Sequence, residues 1–355
     1  MQTIMDDHEK FRVGVTGDIL NSNGELAVAD TGMGPLDEAP GVAWEFIKSR
    51  DNILKSEHIR GYDALLCVGR RVTRETLRQV DRLAIVARYG VGLDTVDVEA
   101  CTDSGVLVTN TPDGVRRPVA SVAVGFVLAL SLDLMWKDRM TREGRWSERY
   151  DRVGSGLRGR VLGLVGLGNI GSEVARLIKP FDMRLIAADP YVEPSTATEL
   201  NVKLVGLDDL MTAADFVCIT CPLNNSTRGM IDERRLGLLK QTAFLINVAR
   251  GPIIDQSALT QILKNNRIRG AALDVFEQEP IHPNDELMHL ENVLLTPHTA
   301  CMTDQCFTGL GHSAVSSILR VSDGKIPTHL VNPKVLDHPR LKSKLNGYAT
   351  RASEA

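Results

Sequence analysis

One stretch decides the fold: Val161-Leu-Gly-Leu-Val-Gly-Leu-Gly-Asn-Ile-Gly171, an apolar strand pattern that runs directly into spaced glycines. A helical pattern follows, and a second apolar run, Arg184 to Ala188, ends in Asp189, 18 residues after Gly171. That spacing is close to the ~20 residues that separate the last glycine from the acid in a dinucleotide-binding βαβ unit. The sequence therefore predicts such a unit here.

The glycines and the residues between them have separate physical roles. Gly166 permits a tight turn, Gly168 lets the backbone approach a pyrophosphate, and Gly171 lets the helix pack closely on the strand. Asn169 and Ile170 stand between the last two glycines and are expected to contact the cofactor. The N-terminus of the following helix offers unpaired N–H groups and a partial positive charge to the phosphates.

Asp189 predicts which dinucleotide binds. Its carboxylate can accept hydrogen bonds from both hydroxyls of a ribose, and it would repel a 2′-phosphate. We therefore expect NAD rather than NADP as the cofactor.

The composition excludes several classes of protein. A length of 355 residues favours two domains, and 43% hydrophobic with 24% charged residues is ordinary for a globular chain. A net charge of −4 gives no basic surface for nucleic acid. The first eight residues are too polar for a signal peptide, and the longest apolar run, 119–132, is too short to span a bilayer. These features predict a cytoplasmic protein.

Cys218 and Cys221 have the spacing of a redox or zinc pair. They fall in a strand-like run, where residues three apart point to opposite faces, and no second pair of this kind completes a zinc site. We expect inert thiols and no metal site.

The chain after residue 160 alternates strand-like and helix-like patterns. Continuous apolar runs, which suit strands buried on both faces of a parallel sheet, stand at 161–165, 184–188, 215–220, 243–247, 270–274 and 293–295, with a further short strand at 202–205. Asp255 before 256–264 and Asp232 before 233–240 signal helix starts. The pattern predicts a doubly wound α/β sheet.

The first hundred residues predict a second, shorter α/β alternation. Strands fit at 12–15, 64–68, 84–88 and 106–109, helices fit near 43–50, 73–80 and 96–103, and 21–40 fits a long loop.

Residues 119–140 predict one long helix whose apolar surface must be buried between domains or subunits. The polar segment 141–150 that follows carries Trp146 and Tyr150. It is interpreted either as a surface loop or, by our preference, as the arm of a homodimer, because large aromatics are enriched at interfaces.

Three polar residues are placed where predicted strands end. Arg250 follows the strand 243–247, Glu279 follows 270–274, and His298 follows 293–295. Ligands of open α/β sheets collect at the carboxyl ends of strands, so these side chains are expected to converge. Together they suit hydride chemistry on a carbonyl acid: Arg250 binds the carboxylate and carbonyl, His298 exchanges the proton, and Glu279 orients the imidazole.

The chain resembles the NAD-dependent D-isomer-specific 2-hydroxyacid dehydrogenases from about residue 62 to residue 303. The resemblance is carried by these motifs: Arg88-Tyr-Gly-Val-Gly-Leu-Asp94, Asn110-Thr-Pro112, Gly166-Leu-Gly-Asn-Ile-Gly171, Asn247-Val-Ala-Arg250-Gly251, Leu273-Asp-Val-Phe-Glu-Gln-Glu279-Pro280 and Thr296-Pro-His298. It implies that Arg250, Glu279 and His298 are the catalytic residues. The glutamate at 279 argues against formate dehydrogenase activity, because those relatives carry glutamine there.

The resemblance also implies the binding residues. Val91 and Gly92 would hold the substrate carboxylate through backbone N–H groups, and Asp274 would hold the nicotinamide carboxamide. The remaining expected cofactor contacts are Thr220, Pro222, Ala249 and His298. Thr220 departs from the histidine of many members, so cofactor contacts there are expected to differ. Arg70, next to Arg71, is either a surface charge or a binder of a second anionic group on the substrate.

The domain organisation implied by the family is discontinuous. Residues 1–110 and 300–340 would form the substrate-binding domain, and 111–299 a Rossmann domain for NAD, with an active-site cleft between the two. Residues 341–355 are interpreted as a polar, disordered tail.

The sequence thus predicts an NAD(H)-dependent oxidoreductase that interconverts a D-2-hydroxy acid and a 2-oxo acid. An NAD-sensing, corepressor-like scaffold of the same fold remains an alternative, because its residues at the three catalytic positions would be the same.

Overall fold

The computed structural model describes residues 10–49 and 51–354. The chain divides into two compact units: Met1–Val115 with Met302–Ala355, and Arg116–Cys301. The divisions fall five residues after 110 and two residues after 299, the boundaries expected from the sequence. The prediction that the first eight residues form no signal peptide lies outside the described residues.

The first unit contains a five-stranded parallel sheet in the order β2-β1-β3-β4-β5. Its strands are β1 (Phe11–Val15), β2 (Val42–Phe46), β3 (Ala64–Cys67), β4 (Ile85–Arg88) and β5 (Leu107–Thr109). Its helices are α1 (Pro35–Glu38), α2 (Ser56–Ile59), α3 (Val98–Asp103), α11 (Asp304–Ser322) and α12 (Pro339–Glu354). Strands β1, β3, β4 and β5 and helix α3 confirm the sequence prediction within one or two residues.

The second unit contains a seven-stranded parallel sheet in the order β12-β11-β10-β9-β6-β7-β8. Its strands are β6 (Val161–Val165), β7 (Arg184–Ala188), β8 (Val202–Leu204), β9 (Phe216–Ile219), β10 (Phe244–Asn247), β11 (Gly270–Leu273) and β12 (Val293–Leu295). Its helices are α5 (Leu134–Arg142), α6 (Asn169–Ile178), α7 (Pro194–Glu199), α8 (Leu207–Ala213), α9 (Glu233–Leu236) and α10 (Gln256–Lys264). The strand order reverses between β6 and β9, which is the switch point at which doubly wound sheets bind ligands.

Side-chain caps explain where two of these helices begin. Asp255 accepts a hydrogen bond from the N–H of Ala258 at the start of α10, and Asp232 accepts one from the N–H of Arg235 at the start of α9. Both starts confirm the prediction, since an aspartate before the first turn satisfies an otherwise unpaired N–H. Helix α9 ends at Leu236, four residues before the predicted end.

Two predicted helices of the first unit are wrong. The segment expected as a helix near 43–50 contains β2, which pairs in parallel with β1 from Phe11 opposite Val42 to Val15 opposite Phe46. The segment 73–80 forms turns. There, Thr76 accepts a hydrogen bond from the N–H of Thr73 and donates to the carbonyl of Leu54, and these bonds compete with helical ones.

The long helix predicted at 119–140 is two helices, α4 (Pro112–Ser131) and α5. The break lies at Asp133, whose φ of 51° is left-handed and whose carboxylate receives a hydrogen bond from Arg269 (2.6 Å). Among the described residues, α4 alone is long and apolar enough to cross a membrane, and 56% of its apolar window is buried. A buried core helix can have the same length and composition, so this is only a weak indication of a membrane-spanning helix.

The C-terminal segment is not a disordered tail, contrary to the sequence interpretation. Helix α12 buries Leu341 and Tyr348, which stand seven residues apart on one helical face. The hydroxyl of Tyr348 donates to the buried carboxylate of Asp63 (3.0 Å), and Lys344 donates to the carbonyl of Leu83 (2.5 Å). These contacts attach the helix to the first unit.

Candidate active site

The glycine-rich loop between β6 and α6 requires its glycines for different reasons. Gly166 has a φ of +99°, and a Cβ there would lie 2.8 Å from the backbone nitrogen of Cys221. A Cβ on Gly171 would lie 2.2 Å from the carbonyl oxygen of Gly166, whereas one on Gly168 would meet nothing within 4 Å. Gly166 and Gly171 therefore permit close packing, and Gly168 leaves open space beside the N-terminus of α6, where Asn169 and Ile170 form the first turn.

Asp189 fixes this loop to the end of β7. Its Oδ2 accepts a hydrogen bond from the N–H of Leu167 (2.7 Å), and its Oδ1 accepts bonds from Tyr191 (2.9 Å) and Val192 (3.1 Å). An ionised carboxylate has about four acceptor positions, so it retains capacity for about one further bond, from a ribose hydroxyl. The open Gly168, the helix N-terminus and this acid together suit a dinucleotide.

Thr220 contributes to the same loop. Thr220 directly follows β9, and its hydroxyl donates to the carbonyl of Gly166 (2.8 Å). Pro222 follows one residue after Cys221, whose thiol pKa is raised to about 11 by burial. Burial also raises the pKa of Cys218 to about 12, so both thiols stay protonated near neutral pH.

The turn after β10 positions Arg250. The side chain of Asn247 accepts a hydrogen bond from the N–H of Ala249 (3.0 Å) and donates to the carbonyl of Arg250 (3.0 Å). A Cβ on Gly251 would lie 1.9 Å from the backbone of Phe276, so only glycine permits this approach to the segment after β11. The guanidinium of Arg250 donates to the carbonyl of Ala249 (2.7 Å).

Glu279 and His298 form a hydrogen-bonded pair. The His298 Nδ1 and Glu279 Oε2 atoms are 2.7 Å apart, and Glu279 Oε1 accepts a bond from the N–H of Phe276 (3.0 Å). The imidazole side chain is 44% exposed, so its other nitrogen, Nε2, is available to a ligand. His298 adopts a φ of 54°, a backbone conformation that is uncommon for residues other than glycine and recurs at functional sites.

The pair shifts the titration of both groups. The hydrogen bond to Glu279 raises the pKa of His298, and it outweighs burial and the charge of Arg250, which lower it. Burial opposes ionisation of Glu279, but the bonds from His298 and Phe276 outweigh it and lower the pKa of the carboxyl. The charge of Arg250 lowers the pKa of both partners.

Asp274 organises the turn that carries His298. This buried carboxylate accepts bonds from the Thr296 hydroxyl (2.6 Å) and from the N–H groups of Thr299 (2.8 Å) and Ala300 (3.1 Å). Its own carbonyl accepts a bond from the N–H of His298 (2.7 Å). These hydrogen bonds on both sides of His298 stabilise its positive φ.

The predicted substrate residues lie in the first unit. Val91 and Gly92 belong to the loop that follows β4, and Val91 is exposed. Arg70 follows β3 with a side chain only 17% exposed, and its guanidinium donates to the carbonyl of Asp51 (2.8 Å) and lies 4.0 Å from Asp18. The Arg70 side chain is therefore less exposed than expected for a surface charge, which was one of its two interpretations.

Sequence reasoning did not assign the structural roles of Asn247 and Asp274 in this site. Asn247 stands in the quoted motif before Arg250, and an amide at a strand end could have indicated its bridging role. The hydrogen bonds of Asp274 to Thr299 and Ala300 could not be foreseen, because they involve backbone groups 25 and 26 residues away.

Known proteins resemble this chain over most of its length. Residues 124–300 match the model of the D-isomer specific 2-hydroxyacid dehydrogenase NAD binding domain. A glyoxylate reductase of Korarchaeum cryptofilum is 38% identical over 284 residues, covering 79% of this chain and 86% of that protein. A D-3-phosphoglycerate dehydrogenase of Methanocaldococcus jannaschii is 36% identical over 294 residues, covering 82% of this chain and 56% of that protein.

A solved structure shows the same architecture. An NADPH-dependent glyoxylate/hydroxypyruvate reductase from Sinorhizobium meliloti, in complex with NADP and malonate, superposes with a TM-score of 0.78 at 28% identity, covering 91% of this chain and 97% of the other. The family match and this neighbour support a nicotinamide dinucleotide as cofactor. Both sequence relatives are named as enzymes, so the comparisons give no support to a corepressor-like scaffold.

Proposed function

Because the chain belongs to the NAD-dependent D-isomer-specific 2-hydroxyacid dehydrogenases, we propose that it reduces a small 2-oxo acid to the D-2-hydroxy acid, and catalyses the reverse oxidation, with His298 as acid and base. The observation that carries this proposal is the 2.7 Å contact of His298 with Glu279. A bound nicotinamide cofactor supplies or accepts the hydride.

The residues of this chain do the remaining work. Glu279 binds Nδ1 and stabilises the imidazolium, so Nε2 of His298 donates a proton to the carbonyl oxygen of the substrate or removes it in reverse. Arg250 binds the substrate's carboxylate and polarises its carbonyl through its planar donor fork. The N–H groups of Val91 and Gly92 bind the carboxylate as well.

For the cofactor, we propose NAD(H) in preference to NADP(H), because Asp189 directly follows β7, where a 2′-phosphate would meet its negative charge. The glycine-rich loop and the first turn of α6 bind the pyrophosphate. Thr220, Pro222, Ala249 and Asp274 are proposed as further contacts, with Asp274 Oδ2, which accepts a single hydrogen bond, facing the carboxamide. We place the protein in the cytoplasm.

A steady-state assay tests the proposal. NADH and NADPH are each incubated with a panel of 2-oxo acids (glyoxylate, hydroxypyruvate, pyruvate, 2-oxoglutarate), and cofactor oxidation is followed. We expect oxidation of NADH by at least one of them, with a lower kcat/KM for NADPH. If the protein binds NADH tightly but oxidises it with none of the panel, the dinucleotide serves a binding role and the proposal is wrong.

The pH dependence of reduction follows from the raised pKa of His298. Reduction needs the protonated imidazole, so the rate should be constant at low pH and fall as the pH rises through that pKa. Glu279→Gln removes the compensating charge and should lower the pKa, which moves the fall to lower pH. The pH profiles of kcat/KM for both proteins provide the measurement, and coincident profiles would contradict the role of Glu279.

Arg70 is proposed to bind a second anionic group of the substrate. Arg70→Ala is expected to raise the KM for 3-phosphoglycerate more than the KM for glycerate, because only the former carries a phosphate. Arg71→Ala, which removes the neighbouring exposed arginine, is the matched control. Equal effects of Arg70→Ala on both substrates would remove this proposal.

We also propose a homodimer that uses α4, α5 and the segment to Tyr150. The exposed side chains of Trp146 (64%), Tyr150 (75%) and Val153 (74%) support it, since large exposed apolar side chains close together mark interaction surfaces. Light scattering should give twice the chain mass. Changing Trp146 and Tyr150 together to serine should give the single mass, whereas Tyr191→Ser, at an exposed tyrosine elsewhere, should not.

A further inference from the structure

Arg88, the last residue of β4, binds the loop that follows it, which we call the β4 loop (residues 89–92). Its Nη1 donates to the carbonyl of Tyr89 (2.5 Å), and its Nε donates to the carbonyl of Gly92 (3.1 Å). The same Nη1 reaches the carbonyl of Cys67 (3.3 Å) on the neighbouring strand. One guanidinium thus joins both ends of the loop to β3.

The two central carbonyls of the β4 loop also have donors. The N–H of Thr111 donates to the carbonyl of Gly90 (3.1 Å), and the side-chain amide of Asn110 donates to the carbonyl of Val91 (3.2 Å). The Thr111 hydroxyl in turn accepts a bond from the N–H of Gly90 (2.8 Å). All four carbonyl oxygens of the loop are therefore occupied within the first unit.

The N–H groups of the loop are arranged in the opposite way. Within the part of the chain that the structure describes, the N–H groups of Val91 and Gly92 have no hydrogen-bond partner. Val91 is 37% exposed, and Gly92 is partly exposed. With the carbonyls turned away and bonded, the loop presents donors without nearby acceptors, which is what binding a carboxylate requires.

Gly90 allows Arg88 to take this position. Its φ of +143° disfavours a side chain, and a Cβ there would lie 3.0 Å from Nη1 of Arg88. A larger residue would push the guanidinium away from the loop.

We infer that Arg88 is a positioning residue for the substrate's carboxylate: its guanidinium holds the carbonyls of Tyr89 and Gly92 so that the N–H groups of Val91 and Gly92 point at the anion. The inference rests on the proposed function. Arg88 itself does not contact the substrate. It acts on the carboxylate that every 2-oxo acid carries, so its effect is the same for all substrates of the panel.

The test compares Arg88→Gln, Arg88→Lys and the wild type. Steady-state kinetics give kcat and the KM for the oxo acid and for NADH, and NADH fluorescence gives the Kd of oxamate, a carboxylate that cannot be turned over in this assay. Arg78→Gln removes an exposed arginine of the same unit and is the matched control.

We expect Arg88→Gln to raise the KM for the oxo acid and the Kd of oxamate about tenfold, because reoriented donors lose roughly one hydrogen bond to a charged group. The kcat and the KM for NADH should change less than about twofold. Arg88→Lys should resemble Arg88→Gln, since one ammonium cannot bond both ends of the loop. A lysine variant that matches the wild type would overturn the inference.

Asn110→Ala provides a second test if Arg88→Gln fails to fold. Asn110 is partly exposed, so the variant should fold, and freeing the carbonyl of Val91 should raise the KM for the oxo acid about threefold, as for one modest hydrogen bond. If a folded Arg88→Gln or Asn110→Ala variant keeps the wild-type KM for the oxo acid and the wild-type Kd of oxamate, the inference is wrong and the proposed function still stands. A wild type that neither binds oxamate nor oxidises NADH overturns the proposed function with it.

Discussion

His298→Ala is expected to lower kcat about 10²–10⁴-fold, the usual effect of removing a general acid or base. The imidazole is bonded to Glu279, and the backbone N–H of His298 donates to the carbonyl of Asp274. The loss should be similar in both reaction directions, because the same nitrogen gives the proton in reduction and takes it in oxidation.

The binding of NADH should survive this change. His298 lies after β12, whereas the glycine-rich loop lies between β6 and α6. Fluorescence titration of the His298 variant with NADH therefore measures cofactor binding, and so shows a folded protein, independently of turnover. His289→Ala, at an exposed histidine of the same unit, is the matched control. Near wild-type turnover in the His298 variant would contradict its role.

Arg250→Gln is expected to lower kcat/KM for the oxo acid about 10²-fold or more. Two hydrogen bonds to a charged carboxylate are lost, and each contributes about 1.5–3 kcal/mol. Arg250→Lys should recover only part of the activity, because an ammonium lacks the planar fork that matches a carboxylate.

The loss at Arg250 should appear mainly with the acid substrate. The KM for NADH should stay close to the wild-type value, and Arg267→Gln, which removes an exposed arginine of the same unit, should leave all constants unchanged. A variant that keeps the wild-type kcat/KM would show that the carboxylate is bound elsewhere.

Local patterns made much of the second unit predictable. The glycine spacing before α6 and the aspartate caps of α9 and α10 depend on residues within one turn of each other, so the sequence displays them directly. Arg250, Glu279 and His298 are separated along the chain, but the parallel order β12-β11-β10 brings the ends of their strands together. The contact of Glu279 with His298 agrees with the strand-end rule that grouped them.

Features that depend on distant partners were not predictable. Strand β2 has a helix-like pattern, and only its pairing with β1, 31 residues earlier, selects the extended form. The sequence of helix α12 is mostly polar. The contact that holds it, from Tyr348 to Asp63, joins residues 285 positions apart and is not visible in the local sequence. Arg88 stood in a quoted motif, yet its role depends on carbonyl groups whose orientation the sequence does not display.

Isotope transfer tests the central claim most directly. The protein is supplied with NADH deuterated at the transferable position and with the best oxo acid of the panel, and the product is analysed for label and configuration. The account predicts a D-2-hydroxy acid that carries deuterium at C2, formed by the wild type and almost absent with His298→Ala. A product without deuterium, an L-configured product, or bound NADH that never loses its label would contradict it.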